Sequence, residues 1–257
     1  MGDDLLAVAR LALACLDLTS LNDKDDPPAI EDLCRRAVSE YGPVAAVCVW
    51  PRFVAQARRA LPASVHVAAV ANFPQGALDL KAALADAASI ADAGGNEIDL
   101  VLPWRAWAAG EHGACTALVA AVRRAHPALT LKLILESGEL HDAALIASAS
   151  AMALGEGVDF LKTSTGKTPV SAIPSAARVM LASIAAHASS GHVAGFKASG
   201  GIRTIGDAKI YIDLTQAALG SVTPQNFRLG ASGLMNDILA RLSGAATSGP
   251  APAPSSY

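Results

Sequence analysis

The chain has 257 residues, of which 52% are hydrophobic and 17% are charged, and its formal net charge is −3. A chain of this length can bury about 70–75% of its unfolded surface, which is enough for one large core. The charge balance, without any Lys- or Arg-rich run, argues against a nucleic-acid partner and favours a small molecule.

Targeting, membrane and metal signals are weak in this sequence. The segment Met1–Leu6 has neither the basic nor the apolar region of a signal peptide, and no apolar run reaches the ~18 residues of a membrane span. The four cysteines and six histidines lack CxxC or HxxxH spacing. We therefore expect a cytoplasmic protein with no membrane contact, no metal site and no cofactor.

Short β-type runs alternate with longer, alanine-rich stretches of helical periodicity. The predicted strands are Cys15–Ser20, Val44–Trp50, Val65–Ala71, Glu97–Leu102, Leu131–Glu136, Asp159–Ser164, Gly195–Ser199 and Phe227–Ser232. The predicted helices between them include Leu78–Ala93, His112–His126, Glu139–Leu154, Ser175–His187 and Ile205–Leu219.

Eightfold alternation of nearly continuous apolar strands with helices is typical of a parallel α/β fold, the (β/α)8 TIM barrel. An open, doubly wound sheet is the alternative. We predict a single barrel domain over residues 1–243, beginning with an N-terminal helix. Residues 244–257, rich in Ala, Pro and Ser and ending in Tyr257, are predicted to form a flexible tail.

Charged residues interrupt several of the predicted strands. Lys162 lies near the end of the sixth run, Lys197 lies in the seventh and Asp99 lies in the fourth. Lys132 and Glu136 share one face of the fifth strand, because strand side chains alternate. If these faces point into the barrel, all five side chains converge near the carboxyl ends of the strands, where barrel active sites are built.

The two lysines suggest an amine nucleophile. Neighbouring strands lie roughly 5 Å apart, so the amines of Lys162 and Lys197 can approach to ~6 Å. At an effective dielectric of ~20 their repulsion is about 3 kcal/mol, or about 2 pK units. Such a shift supplies the free amine that attack on a carbonyl requires. The alternative is two unrelated lysines, one of them paired with Asp99.

The turns that follow the sixth, seventh and eighth predicted strands are rich in glycine or small hydroxyl residues. They are Thr165-Gly166-Lys167, Ser199-Gly200-Gly201 and Gly230-Ala231-Ser232-Gly233. Their backbone N–H groups, and those of a helix beginning near Gly233, suit a phosphate dianion. Each glycine can instead serve only a backbone position with positive φ. A nucleotide-binding P-loop is disfavoured, because Leu161 stands where that motif needs glycine.

Motifs along the whole chain carry a family resemblance. They are Leu16–Thr19, Val47–Phe53, Asn72–Pro74, Glu97–Asp99, Leu131–Glu136, Phe160–Lys167, Gly195–Arg203, Arg228–Ser232 and the terminal Ser255-Ser256-Tyr257. In these motifs the chain resembles the deoxyribose-phosphate aldolases, class I aldolases with a barrel fold. The resemblance implies reversible cleavage of 2-deoxy-D-ribose 5-phosphate to D-glyceraldehyde 3-phosphate and acetaldehyde, in deoxyribonucleoside catabolism, by a metal-independent homodimer.

The resemblance also implies roles for individual residues. Lys162 is the expected Schiff-base nucleophile, Lys197 lowers its pKa and assists proton transfer, and Asp99 belongs to a proton relay. The expected substrate-binding residues are Asp17, Thr19, Cys48, Lys132, Thr165, Gly166, Lys167, Gly200, Gly201, Ser232 and Gly233.

Several of these assignments have alternatives. Asp17 and Thr19 can cap a turn, Cys48 can be a plain core residue, and Tyr257 is either a proton carrier or an idle terminus. Gly233 replaces a serine of many family members and Ser199 a proline of some, with the backbone donors retained. The rival functions are a class I aldolase acting on a ketose phosphate and a catalytically silent barrel that binds phosphosugars.

Overall fold

The protein is described here by a computed structural model of residues 2–188 and 193–244. Within these ranges eight parallel strands form a closed barrel. The strands are β1 Leu16–Thr19, β2 Ala46–Val49, β3 His66–Ala71, β4 Glu97–Val101, β5 Thr130–Ile134, β6 Phe160–Lys162, β7 Gly195–Ser199 and β8 Phe227–Ala231. All eight lie within the predicted strand runs except that β5 begins one residue earlier.

The pairing of the first strand with the last closes the barrel. Leu16 of β1 is in register with Leu229 of β8, while Asp17 on the other side pairs with Ala46 of β2. The predicted TIM barrel is therefore confirmed, and the open sheet, which would leave two free edges, is wrong.

Helices surround this barrel in the described part of the chain. They are α1 Gly2–Ala14, α2 Pro27–Arg36, α3 Val54–Ala60, α4 Leu80–Asp92, α5 Trp104–Ala108, α6 His112–Ala125, α7 Ser137–Leu140, α8 Ala143–Gly155, α9 Pro174–His187, α10 Ile205–Leu219 and α11 Leu234–Leu242. A hairpin of Val38–Ser39 with Gly42–Pro43 and a 3-10 turn at Pro51–Phe53 complete the elements.

One predicted helix is divided in two. The stretch Glu139–Leu154 contains the end of α7 and most of α8, because His141 has a positive φ of 52°, with which a right-handed α-helix cannot continue. Asp142 then caps α8 through its side chain, which accepts from the N–H of Ala144. The short helices α3 and α5 were not predicted, since five to seven residues show too little periodicity.

Two faces of the barrel wall have opposite chemistry. Outward side chains such as Val47, Leu133 and Phe196 pack with the helices in one large apolar core. The inward faces of β1 and of β4 to β8 instead carry charged side chains that are almost wholly removed from solvent, whereas those of β2 and β3 are apolar. Since strand side chains alternate, a register that buries the apolar set necessarily gathers the charged set inside the barrel.

Some sequence predictions concern residues beyond the described ranges. The predicted tail lies outside them apart from Gly244, and so does Tyr257. No helix in the described ranges combines the length and the apolar character needed to cross a bilayer.

Candidate active site

The strand register places the predicted catalytic lysines side by side. Lys162 of β6 is in register with Lys197 of β7, and Asp99 of β4 is in register with Lys132 of β5. Residues in register on neighbouring strands point to the same face of the sheet. All four side chains therefore point into the barrel, where each is at most 3% exposed.

Asp99 is the centre of this cluster. Its Oδ2 accepts hydrogen bonds from Nζ of Lys162 and Nζ of Lys197, each at 2.7 Å, and its Oδ1 accepts from Lys132 at 2.8 Å. Burial alone would raise the pKa of Asp99, but the three ammonium groups hold it well below its usual range. Asp99 is therefore a carboxylate that can accept protons but does not retain one.

Of the three lysines that bond Asp99, Lys162 is the one whose pKa is lowered. Burial is the largest cause of its lowered pKa, Asp99 works against that shift, and the charge of Lys197 adds to it. The charge of Lys197 is therefore not the leading cause that strand spacing alone predicts, because removal from water contributes more. The result is a lysine with an increased share of free amine.

Lys197 has the opposite character although it is equally buried. Burial favours its neutral form, but Asp17 and Asp99 more than compensate and raise its pKa. Nζ donates to Oδ2 of Asp17 as well as to Asp99. Lys197 thus stays an ammonium at neutral pH and keeps a positive charge beside Lys162.

Two further charged residues, Arg228 and Glu97, bond to this cluster, and neither was predicted from the sequence as part of the site. Arg228 donates from Nη1 to Asp17 at 2.7 Å and from Nη2 to Glu97 at 2.9 Å. Lys132 also bonds Glu97. Both Arg228 and Glu97 are charges within apolar strand runs, which is the same sequence signal that identified Lys162. Together the pairs neutralise the buried carboxylates.

Thr19 of β1 and Cys48 of β2, both predicted to bind substrate, contact other residues of the barrel. The hydroxyl of Thr19 donates to the backbone oxygen of Asp17 at 2.8 Å. The thiol of Cys48 lies 3.8 Å from Oδ2 of Asp99, and burial, followed by that carboxylate, raises its pKa to about 11. Cys48 is therefore a neutral thiol beside the cluster.

An apolar wall adjoins the charged cluster inside the barrel. It consists of Leu21, Cys48, Ala68 and Val70, with Trp50 and Phe73 packed against it. Because Cys48 contacts both the wall and Asp99, this surface faces the reactive lysine region.

The turn after β6 is anchored by Glu136 at the end of the fifth strand. The Glu136 carboxylate accepts from the N–H of Thr165 at 3.2 Å and from its hydroxyl at 2.5 Å. Thr165 Oγ1 in turn accepts from the N–H of Lys167 at 3.0 Å, and Lys167 Nζ lies 3.9 Å from Asp23. This part of the predicted phosphate site is thus a closed, hydrogen-bonded turn.

The turns after β6 and β7 meet at Gly200. A Cβ on this residue would lie 2.5 Å from Oγ of Ser171 and 3.4 Å from Cα of Gly166, and its φ is 82°. A side chain would therefore close the gap between the two turns.

Ser232 and Gly233 are exposed at the start of α11, with Gly233 at the N-cap position.

Metal ligands do not cluster in the described ranges, since no group of three or more His, Cys, Asp or Glu side chains there could hold an ion. The groups that the structure brings together are an amine of lowered pKa, a buried ammonium and a shared carboxylate. These three groups suit imine formation and proton transfer at a carbonyl substrate.

Comparison with known proteins adds a family and a fold. A model described as "DeoC/LacD family aldolase" matches residues 11–235. The chain is 45% identical to a deoxyribose-phosphate aldolase of Agrobacterium fabrum, over 97% of this chain and 96% of that protein. Both matches cover the strands that carry the lysine cluster.

Solved structures agree with the barrel architecture. A crystal structure of a putative deoxyribose-phosphate aldolase from Coccidioides immitis is 29% identical, with a TM-score of 0.77 over 90% of this chain and 86% of that one. Another from Toxoplasma gondii has a TM-score of 0.87 over 96% and 98% of the two chains. Its 21% identity makes it a likeness of fold alone.

Proposed function

This chain belongs to the DeoC/LacD family of aldolases, and from that membership we propose that it cleaves 2-deoxy-D-ribose 5-phosphate reversibly to D-glyceraldehyde 3-phosphate and acetaldehyde. The proposed reaction proceeds through a Schiff base on Lys162. The enzyme is a lyase. The proposed substrate rests on the family, and the proposed covalent intermediate rests on the arrangement of charged groups inside the barrel.

The observation that carries the proposal is the contrast between two buried lysines that share one acceptor. Lys162 has a lowered pKa and one carboxylate partner, Asp99, whereas Lys197 has a raised pKa and bonds a second carboxylate, Asp17. A nucleophilic amine must be unprotonated, and a neighbouring ammonium adds to the effect of burial in favouring that form. The pair fits this division of roles.

In the cleavage direction, the free amine of Lys162 attacks the C1 aldehyde of the open-chain sugar. The resulting carbinolamine loses water to give a protonated imine. When the C3 hydroxyl loses its proton, the C2–C3 bond breaks and its electron pair moves toward the imine nitrogen. Glyceraldehyde 3-phosphate leaves, and an enamine remains on Lys162. Protonation at C2 and hydrolysis of the imine release acetaldehyde and restore the amine.

Asp99 and Lys197 are our candidates for handling these protons through water. Asp99 is ionised, so it can accept a proton, and Lys197 is an ammonium, so it can donate one. Their direct bond of 2.7 Å allows each to restore the other after a transfer. The imine nitrogen serves as the electron sink, so we propose that no metal is required.

The apolar wall supports a small aldehyde as the two-carbon partner. Ala68, Val70 and Cys48 are short side chains, so the methyl group of acetaldehyde can lie against them without exposing polar atoms. A ketose phosphate would bring hydroxyl groups to this surface, where no polar side chain of the wall can bind them. We therefore place the ketose-phosphate aldolase second.

The phosphate is proposed to bind at the turns after β6, β7 and β8. Gly166, Gly200 and Gly201 all have positive φ, which turns the backbone sharply at the barrel mouth. The N-terminus of α11 begins at Gly233 and adds a partial positive charge. A substrate held there by its phosphate extends its reacting carbons toward the lysines below.

The test is release of acetaldehyde from 2-deoxyribose 5-phosphate by the purified protein, compared with Lys162→Ala and with the wild type in excess ketose phosphate. We expect turnover by the wild type alone and weak inhibition by the ketose phosphate. Turnover by Lys162→Ala, or preferred cleavage of the ketose phosphate, contradicts the proposal. A silent binding barrel predicts ligand binding with no acetaldehyde in either protein.

The same family membership supports three wider proposals. We propose that the enzyme acts in the breakdown of deoxyribonucleosides, that it is cytoplasmic and that it forms a homodimer. Light scattering during size-exclusion chromatography tests the dimer directly, and a monomeric mass contradicts it.

A further inference from the structure

Glu136 is a buried carboxylate that the reaction as proposed does not use. It lies two residues after the end of β5, it is wholly removed from solvent, and its backbone has φ 52° and ψ 53°, in the left-handed region. A residue other than glycine adopts that backbone conformation at a cost of about 1–3 kcal/mol. Such a conformation persists when surrounding contacts hold it in place, so the contacts of Glu136 indicate its role.

All the side-chain bonds of Glu136 in the described structure run to the turn after β6. Its carboxylate accepts from the amide of Thr165 at 3.2 and 3.3 Å, from the Thr165 hydroxyl at 2.5 Å and from the Thr168 hydroxyl at 3.3 Å. The Thr165 hydroxyl also accepts from the amide of Lys167. One carboxylate therefore anchors the turn at Thr165 and lies within reach of Thr168, whose single hydroxyl proton is shared with the carbonyl oxygen of Val170 at 3.1 Å.

Glu136 acts on the turn rather than on the nucleophile. Within residues 2–188 and 193–244, no hydrogen bond or ion pair joins its carboxylate to Lys162 or Lys197. Burial raises the pKa of Glu136, and the bonds from Thr165 oppose that shift more strongly than the charge of Lys162 does. Its dominant partners are the donors of the turn.

We infer that Glu136 is a positioning residue, which holds the Thr165–Thr168 turn in the shape that receives the phosphate of the substrate before the substrate binds. This inference rests on the proposed function and deepens it. Preorganisation of this kind lowers the cost of ordering a loop on binding. Loss of the Glu136 carboxylate should therefore weaken recognition of the phosphate and leave the chemistry at Lys162 intact.

The test compares two substrates, 2-deoxyribose 5-phosphate and unphosphorylated 2-deoxyribose. Glu136→Gln keeps the size of the side chain but places an NH2 group where an oxygen accepts from Thr165, so the turn loses part of its anchor. Glu139→Gln, three residues further on in α7, is the matched control for loss of one carboxylate, because no hydrogen bond of its side chain is seen in the described structure. Borohydride trapping of acetaldehyde on Lys162 is measured for all the proteins.

We expect Glu136→Gln to lower the ratio of kcat/KM for the two substrates by about tenfold or more, mainly through KM for the phosphorylated one. Trapping on Lys162 and cleavage of 2-deoxyribose should change little, and the control should keep the wild-type ratio. Thr165→Val removes the same bond from the other side, and the double variant should add little to either single one. Thr165→Val also tests the role if Glu136→Gln does not fold.

The opposing outcomes are distinct. If the ratio is unchanged, or if both substrates lose activity alike, the positioning role is wrong while the proposed function stands. If the wild type itself shows no preference for the phosphorylated sugar, both the proposed substrate and this role are contradicted.

Discussion

Lys162 and Lys197 donate to the same oxygen of Asp99, each over 2.7 Å, so their amines can be no farther apart than twice that distance. They differ in their second partner. Lys197 also bonds Asp17, whereas Asp99 is the single carboxylate that Lys162 bonds in the described structure. Two ammonium groups on one oxygen repel each other, and the one with less compensation loses its proton first.

Removing the charge of Lys197 should move the reactivity of Lys162 to higher pH. In Lys197→Leu the repulsion disappears and Asp99 is left to Lys162 and Lys132, so both changes favour the protonated form of Lys162. The pKa of Lys162, which is lowered in the wild type, should therefore rise in this variant. The rate of borohydride trapping with acetaldehyde, followed as a function of pH, should need a higher pH to reach half its maximum.

Lys197→Arg is the matched control for that variant. It retains a positive charge beside Asp17 and Asp99, so the trapping profile should stay closer to that of the wild type even if turnover falls. A Lys197→Leu profile that coincides with the wild-type profile would show that burial alone sets the reactivity of Lys162.

Lys132 should contribute strongly to stability, because it compensates two buried carboxylates. Lys132→Met leaves Glu97 and Asp99 without this partner, and breaking a buried pair on one side costs about 3–5 kcal/mol. Urea unfolding should show this loss as a lower midpoint. Lys209→Met breaks the exposed pair with Asp213 and should leave the midpoint nearly unchanged; equal effects would contradict the buried network.

Close packing at Gly195 should make even a methyl group destabilising. A Cβ there would lie 2.3 Å from Cε1 of Phe160, whose ring lies 5.5 Å from Cζ of Arg228. Gly195→Ala should lower the free energy of unfolding by about 1–3 kcal/mol. Gly113→Ala in α6 meets nothing within 4 Å and should raise it by about 0.5–1 kcal/mol. Thermal melts of the two variants should move in opposite directions, and a shared direction would contradict the packing.

The cysteines should be unreactive in the folded protein. All four are buried and free, and burial raises the pKa of Cys15 to about 12 and those of Cys34 and Cys48 to about 11. A thiol-disulfide reagent at pH 8 should therefore label almost none of them in buffer and all four in guanidinium chloride. Rapid labelling of Cys48 in the native protein would show that the barrel interior is open to solvent.

Much of the fold could be predicted from the sequence because its signals are local. The eight apolar runs and the long helices α4, α6 and α10 follow from periodicity, and strand alternation brought Asp99, Lys132 and Lys162 to one interior face. The bonds among them could not be predicted, since they depend on how each strand is staggered around the barrel. Asp17 and Arg228 illustrate this point: they lie far apart in sequence and meet only because the first strand pairs with the last.

The electrostatic balance of the site was also beyond the sequence. The repulsion between Lys162 and Lys197 could be estimated from strand spacing, but the larger effect of burial and the opposing effect of Asp99 require the arrangement in three dimensions. Likewise, the anchoring of Thr165 by Glu136 depends on a left-handed residue after β5, for which no glycine or asparagine gave a signal.

The central claim is that Lys162 is the nucleophile. The most direct test is to incubate the protein with acetaldehyde and borohydride, with and without EDTA, and to locate the reduced adduct by intact mass and peptide mapping. We predict a single ethyl group on Lys162, formed equally in both conditions. No adduct, or an adduct on Lys197, would contradict the assignment of the two lysines while leaving the barrel as described.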